Sequence, residues 1–152
     1  MGGRLHTLAG RLGLAGHVLF HGFLPSEAVT PLYHAAHLFV LTSRHEAAGV
    51  VLLEAAACGV PVVGTRVGFL ADWAPQMAEA VPPGHPDQLA DAIAALLSSP
   101  ERRHAMAAQA CEWARHHDAD WTAAAFERLY DEAASSGRTT PRESLLSRLT
   151  RR

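Results

Sequence analysis

Two glutamates, Glu46 and Glu54, are the residues whose type and surroundings point most directly to chemistry. Glu54 is the only charged residue in the run at 47–63, AAGVVLLEAAACGVPVV. A helix that is apolar on every side is typical of a buried helix. Because an unpaired carboxylate is costly to bury, Glu54 is expected to face a polar cleft or to meet a cation. The alternative to a ligand site is a structural ion pair with Arg66 or with an arginine of the last helices.

Glu46 lies eight positions earlier, just before the predicted helix begins. There the N–H groups of Ala48, Gly49 and Val50 are free and the helix dipole points outward, which suits a phosphate or diphosphate. A carboxylate beside that end can accept hydrogen bonds from sugar hydroxyls. Two turns of helix place the carboxylates roughly 8–12 Å apart, longer than the usual glycosidase pair. The spacing favours two groups that hold different parts of one elongated ligand.

The elements that must position these glutamates alternate between strand and helix. Short apolar runs predict strands at residues 18–23, 38–41 and 60–63, and the second is typical of a strand buried on both faces. Helical patterns occur at residues 4–14, 26–36 and 49–58, and Gly59 is expected to close the last of these. This order predicts an α/β domain with a parallel sheet. Ligands then bind beyond the carboxyl ends of the strands, at the loops 22–26, 42–49 and 64–73.

The second half of the chain is predicted to complete the domain with helices. An irregular stretch comes first, at residues 65–86, and residues 78–81 within it are a candidate short strand. Three helices are predicted after it, at residues 87–97, 101–116 and 120–134, with prolines at the starts of the first two. We therefore predict one domain over residues 1–135 and a flexible, arginine-rich tail over residues 136–152.

Composition excludes several classes of function. All 13 basic residues are arginine, and the formal net charge of −2 gives no support to nucleic-acid binding. The absence of lysine excludes Schiff-base chemistry and a P-loop lysine. The two cysteines, Cys58 and Cys111, form no disulfide framework and no metal-binding motif, which favours a cytoplasmic setting. No run approaches the ~20 apolar residues of a membrane-spanning helix, and the basic tail leaves peripheral contact with the inner membrane face open.

Ten histidines raise the question of a metal site. No three of them, alone or with acidic neighbours, have firm ligand spacing, so we predict neither a metal nor a cofactor. His45 is of interest for another reason. It adjoins Glu46, from where it could reach the phosphates of a bound ligand.

The segment around the two glutamates is similar to a known motif. TSRHEAAGVVLLEAAACGVPVVGT resembles the E-x7-E segment of retaining glycosyltransferases of the GT-B fold, in the group 1 (GT4-like) family. The segment before it, HVLFHGFLPSEAVTPLYHAAHLFVLTS, looks like the family's strand, loop, helix and strand. The segment VPPGHPDQLADAIAALLSSPERRHAM and the Trp-containing helix after it resemble the closing helices. The resemblance covers about residues 5–134 and several consecutive elements.

The resemblance implies a Rossmann-like, three-layer half of a GT-B enzyme that binds a nucleotide-sugar donor, UDP- or GDP-linked, and usually needs no metal. It assigns Glu46 to the hydroxyls of the transferred sugar, as the catalytic group, and Glu54 to the nucleotide ribose. Further donor-binding residues, which would meet the sugar and the diphosphate, are Ala48, Gly49, Val50, Arg44 and His45. The residues that would lie along the base are Gly22, Leu24 and Pro25.

The sequence departs from the family pattern in what it lacks. Position 48 is often aromatic in the family and is alanine here. The first strands, the loop with a diphosphate-binding Arg/Lys pair and the N-terminal acceptor-binding domain are expected to be missing. Only Arg44 and Arg66 are near enough to replace that pair, so we expect the isolated chain not to turn over. The open sheet edge supports an alternative, a non-catalytic remnant or interaction module that self-associates through it.

Overall fold

The structure is a computed structural model that describes residues 2–47 and 49–135. It contains seven helices and three strands within those residues. The strands are β1 (Phe39–Leu41), β2 (Val62–Thr65) and β3 (Ala78–Val81). The helices are α1 (Gly2–Arg11), α2 (Ser26–Ala35), α3 (Val50–Ala57), α4 (Phe69–Trp73), α5 (Pro86–Leu97), α6 (Pro100–His116) and α7 (Ala119–Ser135).

The strands form one parallel sheet in the order β1-β2-β3. Val62 pairs with Phe39 on one side and with Ala78 on the other. All four residues of the central strand β2 are buried, as expected for a strand with a neighbour on each side and helices over both faces. Each strand is separated from the next by helical sequence, which is the connection that parallel pairing requires. The predicted parallel α/β architecture is confirmed.

Helices cover both faces of the sheet and make three layers. Val62 faces a core that includes Leu52 of α3 and Trp73 of α4. Its neighbour Val63 faces the opposite side, where Leu96 of α5 and Met106 of α6 pack against it. Helix α6 contacts both α3 and α5. The C-terminal helices thus complete the domain as predicted, each within one residue of its expected start.

The strand predicted at residues 18–23 does not form, and this prediction was wrong. The segment is irregular, and its side chains Leu19 and Phe23 are 81% and 96% exposed. A strand gains its stability from a hydrogen-bonded neighbour, and β1 pairs only with β2 in the described sheet. Strand β1 is also not buried on both faces as predicted, since Val40 is 40% exposed. The helices on that face, α5 and α6, contact mainly β2 and β3.

Other boundaries differ in ways that local chemistry explains. Strand β2 begins at Val62, because the N–H of Val60 is bonded to the Ala55 carbonyl at the end of α3 and Pro61 has no N–H to give. Gly59 has the left-handed conformation expected of a residue that closes a helix. The candidate strand at 78–81 is confirmed as β3. Helix α4 was not predicted, and the tail at 136–152 lies outside the described residues.

Gly64 is the position where the sheet tolerates no side chain. A Cβ atom there would lie 2.1 Å from the carbonyl oxygen of Leu41 and 3.0 Å from Leu70 Cδ1. We expect Gly64→Ala to lower the free energy of unfolding by about 3 kcal/mol or more, because backbone of β1 would have to move. Urea unfolding followed by circular dichroism measures this. Gly10→Ala is the control, since nothing lies within 4 Å of its Cβ position; equal stability of the two variants would contradict the account.

Candidate functional site

Helix α3 carries Glu54 on its exposed side. Leu52, Ala55 and Ala56 are fully buried, whereas Val50 is 61% exposed and Glu54 is also exposed. The expectation of a helix buried on every side was therefore wrong. The sequence is apolar all round, but only one face of the helix packs on the sheet and on α6. The Glu54 charge consequently needs no ion pair to be tolerated.

The partner of Glu54 is a tyrosine. Tyr33 of α2 donates its hydroxyl hydrogen bond to Glu54 Oε2 at 3.0 Å, and the Val51 carbonyl oxygen lies 3.4 Å from the same hydroxyl. Tyr33 is only 8% exposed, and its ring packs edge-on against Phe39 with the centroids 5.7 Å apart. The contact joins α2 to α3 across 21 residues of sequence. It restrains a carboxylate that the helix surface would otherwise leave mobile.

Among the described residues, no arginine forms an ion pair with Glu54. Arg66 donates from Nη2 to the Ala80 carbonyl oxygen at 3.0 Å. Among the residues that the structure describes, the ion pairs are Arg102 with Glu79 and His116 with Glu112. The Arg66 side chain is therefore bonded to the backbone of β3 and not to Glu54.

A small polar recess opens beside Glu54, between α2 and α3. Its volume is about 170 Å³, and it is lined by Ser26, Val29, Thr30, Tyr33 and Glu54. Hydroxyl groups and one carboxylate are the groups that bind polyols, because each sugar hydroxyl can donate to one and accept from another. The recess is chemically suited to a small hydroxylated group.

Glu46 is held in the loop between β1 and α3. Ser43 Oγ donates to Glu46 Oε2 at 3.3 Å, and the glutamate is half-buried. Gly49, the residue before α3, is buried with φ 77° and ψ 57°. A Cβ atom on it would lie 3.1 Å from Glu46 Cγ. Glycine thus allows both the left-handed turn and the close approach of the glutamate side chain to the start of the helix.

The same loop is tied to the end of the central strand. Thr65, which is 7% exposed, donates from Oγ1 to the carbonyl oxygen of Ser43, and the Leu41 carbonyl oxygen lies 3.4 Å from the same hydroxyl. This contact fixes the backbone that presents Ser43 and, through it, Glu46. The loop that follows β1 is therefore anchored at the carboxyl end of the sheet, where a ligand site was expected.

The remaining predicted residues occupy three places. Arg44 lines a separate open cavity of about 400 Å³ at the carboxyl ends of the strands, together with Thr42, Thr65, Gly84, His85, Pro86 and Leu89. His45 is exposed beside it. Gly22 is left-handed, Leu24 is half-buried and Pro25 is the residue that precedes α2. Val50 begins α3, and Ala48 lies outside the described residues. Arg44 and Glu54 thus line two different cavities.

No metal centre is seen in the described part of the chain. Within residues 2–47 and 49–135, no three histidine, cysteine, aspartate or glutamate side chains are grouped so that they could hold an ion. None of the described helices combines the length and the apolar character needed to cross a bilayer.

A protein-family model matches most of the chain. The model, described as glycosyl transferases group 1, matches residues 3–113. The chain belongs to the glycosyl transferases group 1 family. It is 38% identical over 131 residues to D-inositol 3-phosphate glycosyltransferase 2 of Catenulispora acidiphila, covering 85% of this chain and 31% of that protein. It is 34% identical over 142 residues to D-inositol 3-phosphate glycosyltransferase of Corynebacterium jeikeium, and the match covers 92% of this chain and 34% of that protein.

Solved structures of glycosyltransferases share this fold. Sucrose-phosphate synthase of Thermosynechococcus elongatus superposes with a TM-score of 0.77 at 28% identity, covering 88% of this chain and 34% of that one. Alr3699/HepE of Anabaena, in complex with UDP, gives a TM-score of 0.73 at 28% identity, covering 88% and 36%. The fold is therefore the Rossmann-like arrangement of GT-B glycosyltransferases. The chain spans about a third of the length of these relatives.

Three residues of the site were not predicted from the sequence. Tyr33, Ser43 and Thr65 hold the two glutamates or their loop, and the contacts of Tyr33 and Thr65 join residues more than 18 positions apart. A tyrosine one turn after Val29 on the packed side of α2 is a usable signal, because a buried tyrosine hydroxyl generally needs a hydrogen-bond partner. Nothing in the sequence identifies which acceptor that is.

Burial raises the pKa of the Tyr33 hydroxyl to about 12, and the hydrogen bond to Glu54 and its negative charge contribute to the rise. The folded protein then holds the phenol proton more tightly than the unfolded chain, whose tyrosine pKa is about 10. The stability from this group is complete below pH 10 and is lost as pH rises toward 12. We expect the free energy of unfolding to fall with a slope approaching ~1.4 kcal/mol per pH unit in that range.

Urea unfolding of the wild type and of Tyr33→Phe at several pH values between 8 and 12 tests this expectation. For Tyr33→Phe, the free energy of unfolding should not show this additional fall with pH, because the variant has no phenol proton. Tyr130→Phe, which removes an exposed hydroxyl from α7, should retain the slope. Parallel curves for wild type and Tyr33→Phe would contradict the buried hydrogen bond.

Proposed function

We propose that this chain is the donor-binding part of a retaining glycosyltransferase and holds a nucleotide-diphosphate sugar for transfer to a hydroxyl acceptor. The observation that carries the proposal is the placement of two restrained glutamates. Glu46 lies before α3 and Glu54 lies on its open side, beside a polar recess. Membership of the glycosyl transferases group 1 family supports it. So do the complexes of Alr3699/HepE with UDP and with UDP-glucose, two ligands of the proposed class.

Glu54 is the proposed ribose ligand. Its Oε2 atom accepts from Tyr33, and a carboxylate retains further acceptor positions for the two ribose hydroxyls. The recess beside it adds the hydroxyls of Ser26 and Thr30. The base would then lie along the neighbouring loop, whose proposed contacts are Gly22, Leu24 and Pro25. UDP and GDP are the nucleotides that we propose.

Glu46 is the proposed catalytic residue, because it would touch the hydroxyls of the transferred sugar. The N–H groups at Ala48, Gly49 and Val50 would bind the diphosphate at the positive end of α3. In the transfer step, the bond from the sugar anomeric carbon to the diphosphate oxygen breaks and a bond to the acceptor oxygen forms. The acceptor proton leaves with the diphosphate. Negative charge grows on the leaving group, so the helix end stabilises the transition state more than the ground state.

Arg44 and His45 are the proposed cationic helpers of the diphosphate. Both are exposed, and Arg44 lines the neighbouring cavity at the strand ends. An arginine can form two parallel hydrogen bonds with a phosphate.

The whole reaction is proposed to need an acceptor-binding domain in addition to this donor-binding part. We propose that the chain by itself binds donor and does not turn over. We place the reaction in the cytoplasm, with the tail at 136–152 allowing contact at the inner membrane face. The two free cysteines, Cys58 and Cys111, are compatible with that placement.

Calorimetry with UDP, GDP and ADP tests the donor-binding proposal. We expect the chain to bind UDP or GDP more tightly than ADP. Glu54→Gln should weaken the binding of the preferred nucleotide by about tenfold or more, since hydrogen bonds to a charged group are the stronger class. Glu127→Gln, in α7, is the matched control and should bind as the wild type does. Absence of binding, or equal affinity of wild type and Glu54→Gln, would contradict the proposal.

A second candidate function is assembly through exposed apolar surface. The observation that favours it is the exposure of Leu19, Phe20 and Phe23 near the amino-terminal part of the chain. Exposed apolar patches mark interaction surfaces, and the β1 edge is a further pairing surface. The occupant that we propose in this case is a second copy of the chain.

Sedimentation velocity over a range of protein concentrations distinguishes the assembly function. If assembly is the function, the chain should sediment as a dimer in a concentration-dependent manner, and Leu19→Ser should shift it towards monomer. Nucleotides should leave the distribution unchanged. A monomer at all concentrations up to about 100 µM would exclude this function, because weak specific interfaces associate at micromolar levels.

A further inference from the structure

We propose that Tyr33 is a positioning residue for nucleotide binding, and that its hydroxyl holds the Glu54 carboxylate in the orientation that receives the ribose hydroxyls. This inference rests on the proposed function. It goes beyond that function by naming the group that makes Glu54 specific for the ribose. Tyr33 is not a catalytic residue in this proposal, because it acts through Glu54.

The position of Glu54 explains why such a restraint matters. The glutamate lies on the exposed side of α3, where a long side chain would sample several rotamers. Ordering it only upon binding would reduce affinity. The Tyr33 hydroxyl already holds one carboxylate oxygen of Glu54, so this ordering cost is removed before the nucleotide binds.

The surroundings of Tyr33 hold its hydroxyl in place as a hydrogen-bond donor. Its ring is packed in the core and contacts the ring of Phe39, so the hydroxyl has little freedom. That hydroxyl donates to Glu54 Oε2 at 3.0 Å, and the Val51 carbonyl oxygen lies 3.4 Å away. The carboxylate is thereby held against the buried ring of Tyr33. The same helix begins at Val50, where the diphosphate is proposed to bind. The proposed ribose and diphosphate contacts therefore lie on one helix, which fixes the distance between them.

The recess beside Glu54 is the proposed position of the ribose. Tyr33 and Glu54 form part of its lining, with Ser26 and Thr30. The Tyr33 hydroxyl occupies Glu54 Oε2. Within the described residues, no group donates a hydrogen bond to the Oε1 atom of the same carboxylate, and this atom can accept from a ribose hydroxyl. Loss of the tyrosine hydroxyl should then weaken recognition of the ribose and leave recognition of the base and the diphosphate intact.

The test compares UDP with 2′,3′-dideoxy-UDP as ligands of the 152-residue chain, by calorimetry. The variants are Tyr33→Phe, Glu54→Gln, the double variant and Tyr130→Phe as the control. Tyr33→Phe should weaken UDP binding about five- to tenfold and dideoxy-UDP binding less than about twofold. The double variant should be no weaker than Glu54→Gln alone, because both changes act on one interaction. Tyr130→Phe should match the wild type for both ligands.

The outcomes separate this inference from the proposed function. If Glu54→Gln removes the preference for UDP over dideoxy-UDP but Tyr33→Phe keeps it, the inference is wrong and the proposed function stands. If the wild type does not distinguish the two ligands, the ribose assignment of Glu54 fails, and the inference fails with it. Equal weakening of both ligands by Tyr33→Phe would show a merely structural role. Should Tyr33→Phe not fold, 4-aminophenylalanine at position 33, which keeps a donor, should preserve the preference.

Discussion

The close approach of β1 to β2 is the constraint on which the site depends. Gly64 leaves the Leu41 carbonyl room at a distance that no side chain would permit. The next residue, Thr65, uses its hydroxyl to hold the backbone of Ser43. Ser43 in turn donates to Glu46. A packing requirement in the middle of the sheet is thus transmitted, through three consecutive contacts, to a carboxylate at the sheet's carboxyl edge.

Helix α3 connects this anchored loop to the second glutamate, Glu54. The helix packs one apolar face on the core through Leu52 and Ala55, and its other face stays open. Seven residues lie between Glu46, in the loop before α3, and Glu54, on the helix, so the anchored loop and the first turn of α3 together set their spacing. Tyr33 supplies the remaining restraint from α2. Each glutamate therefore has a neutral hydroxyl partner, which orients the carboxylate and leaves its negative charge available to a ligand.

The sequence predicted the sheet from residue 38 onward, because buried strands and their following helices have strong local patterns. It could not predict whether residues 18–23 would pair, since pairing depends on a neighbouring strand and not on the apolar run itself. The open face of α3 was also missed. In a helix whose residues are nearly all apolar, periodicity gives no indication of which face is covered. The partner of Glu54 was missed for a related reason, because Tyr33 is distant in sequence and tyrosines in helices usually serve packing.

Glu54 is exposed and accepts a hydrogen bond from Tyr33, so its placement, and not its burial, makes it a candidate ligand group. Two-dimensional ¹H–¹⁵N NMR during a titration with UDP tests the central claim most directly. The account predicts that the amide signals that shift most belong to residues 22–26 and 50–54, around the Tyr33–Glu54 pair. Shifts confined to α5 and α6, or no shifts at millimolar UDP, would contradict it.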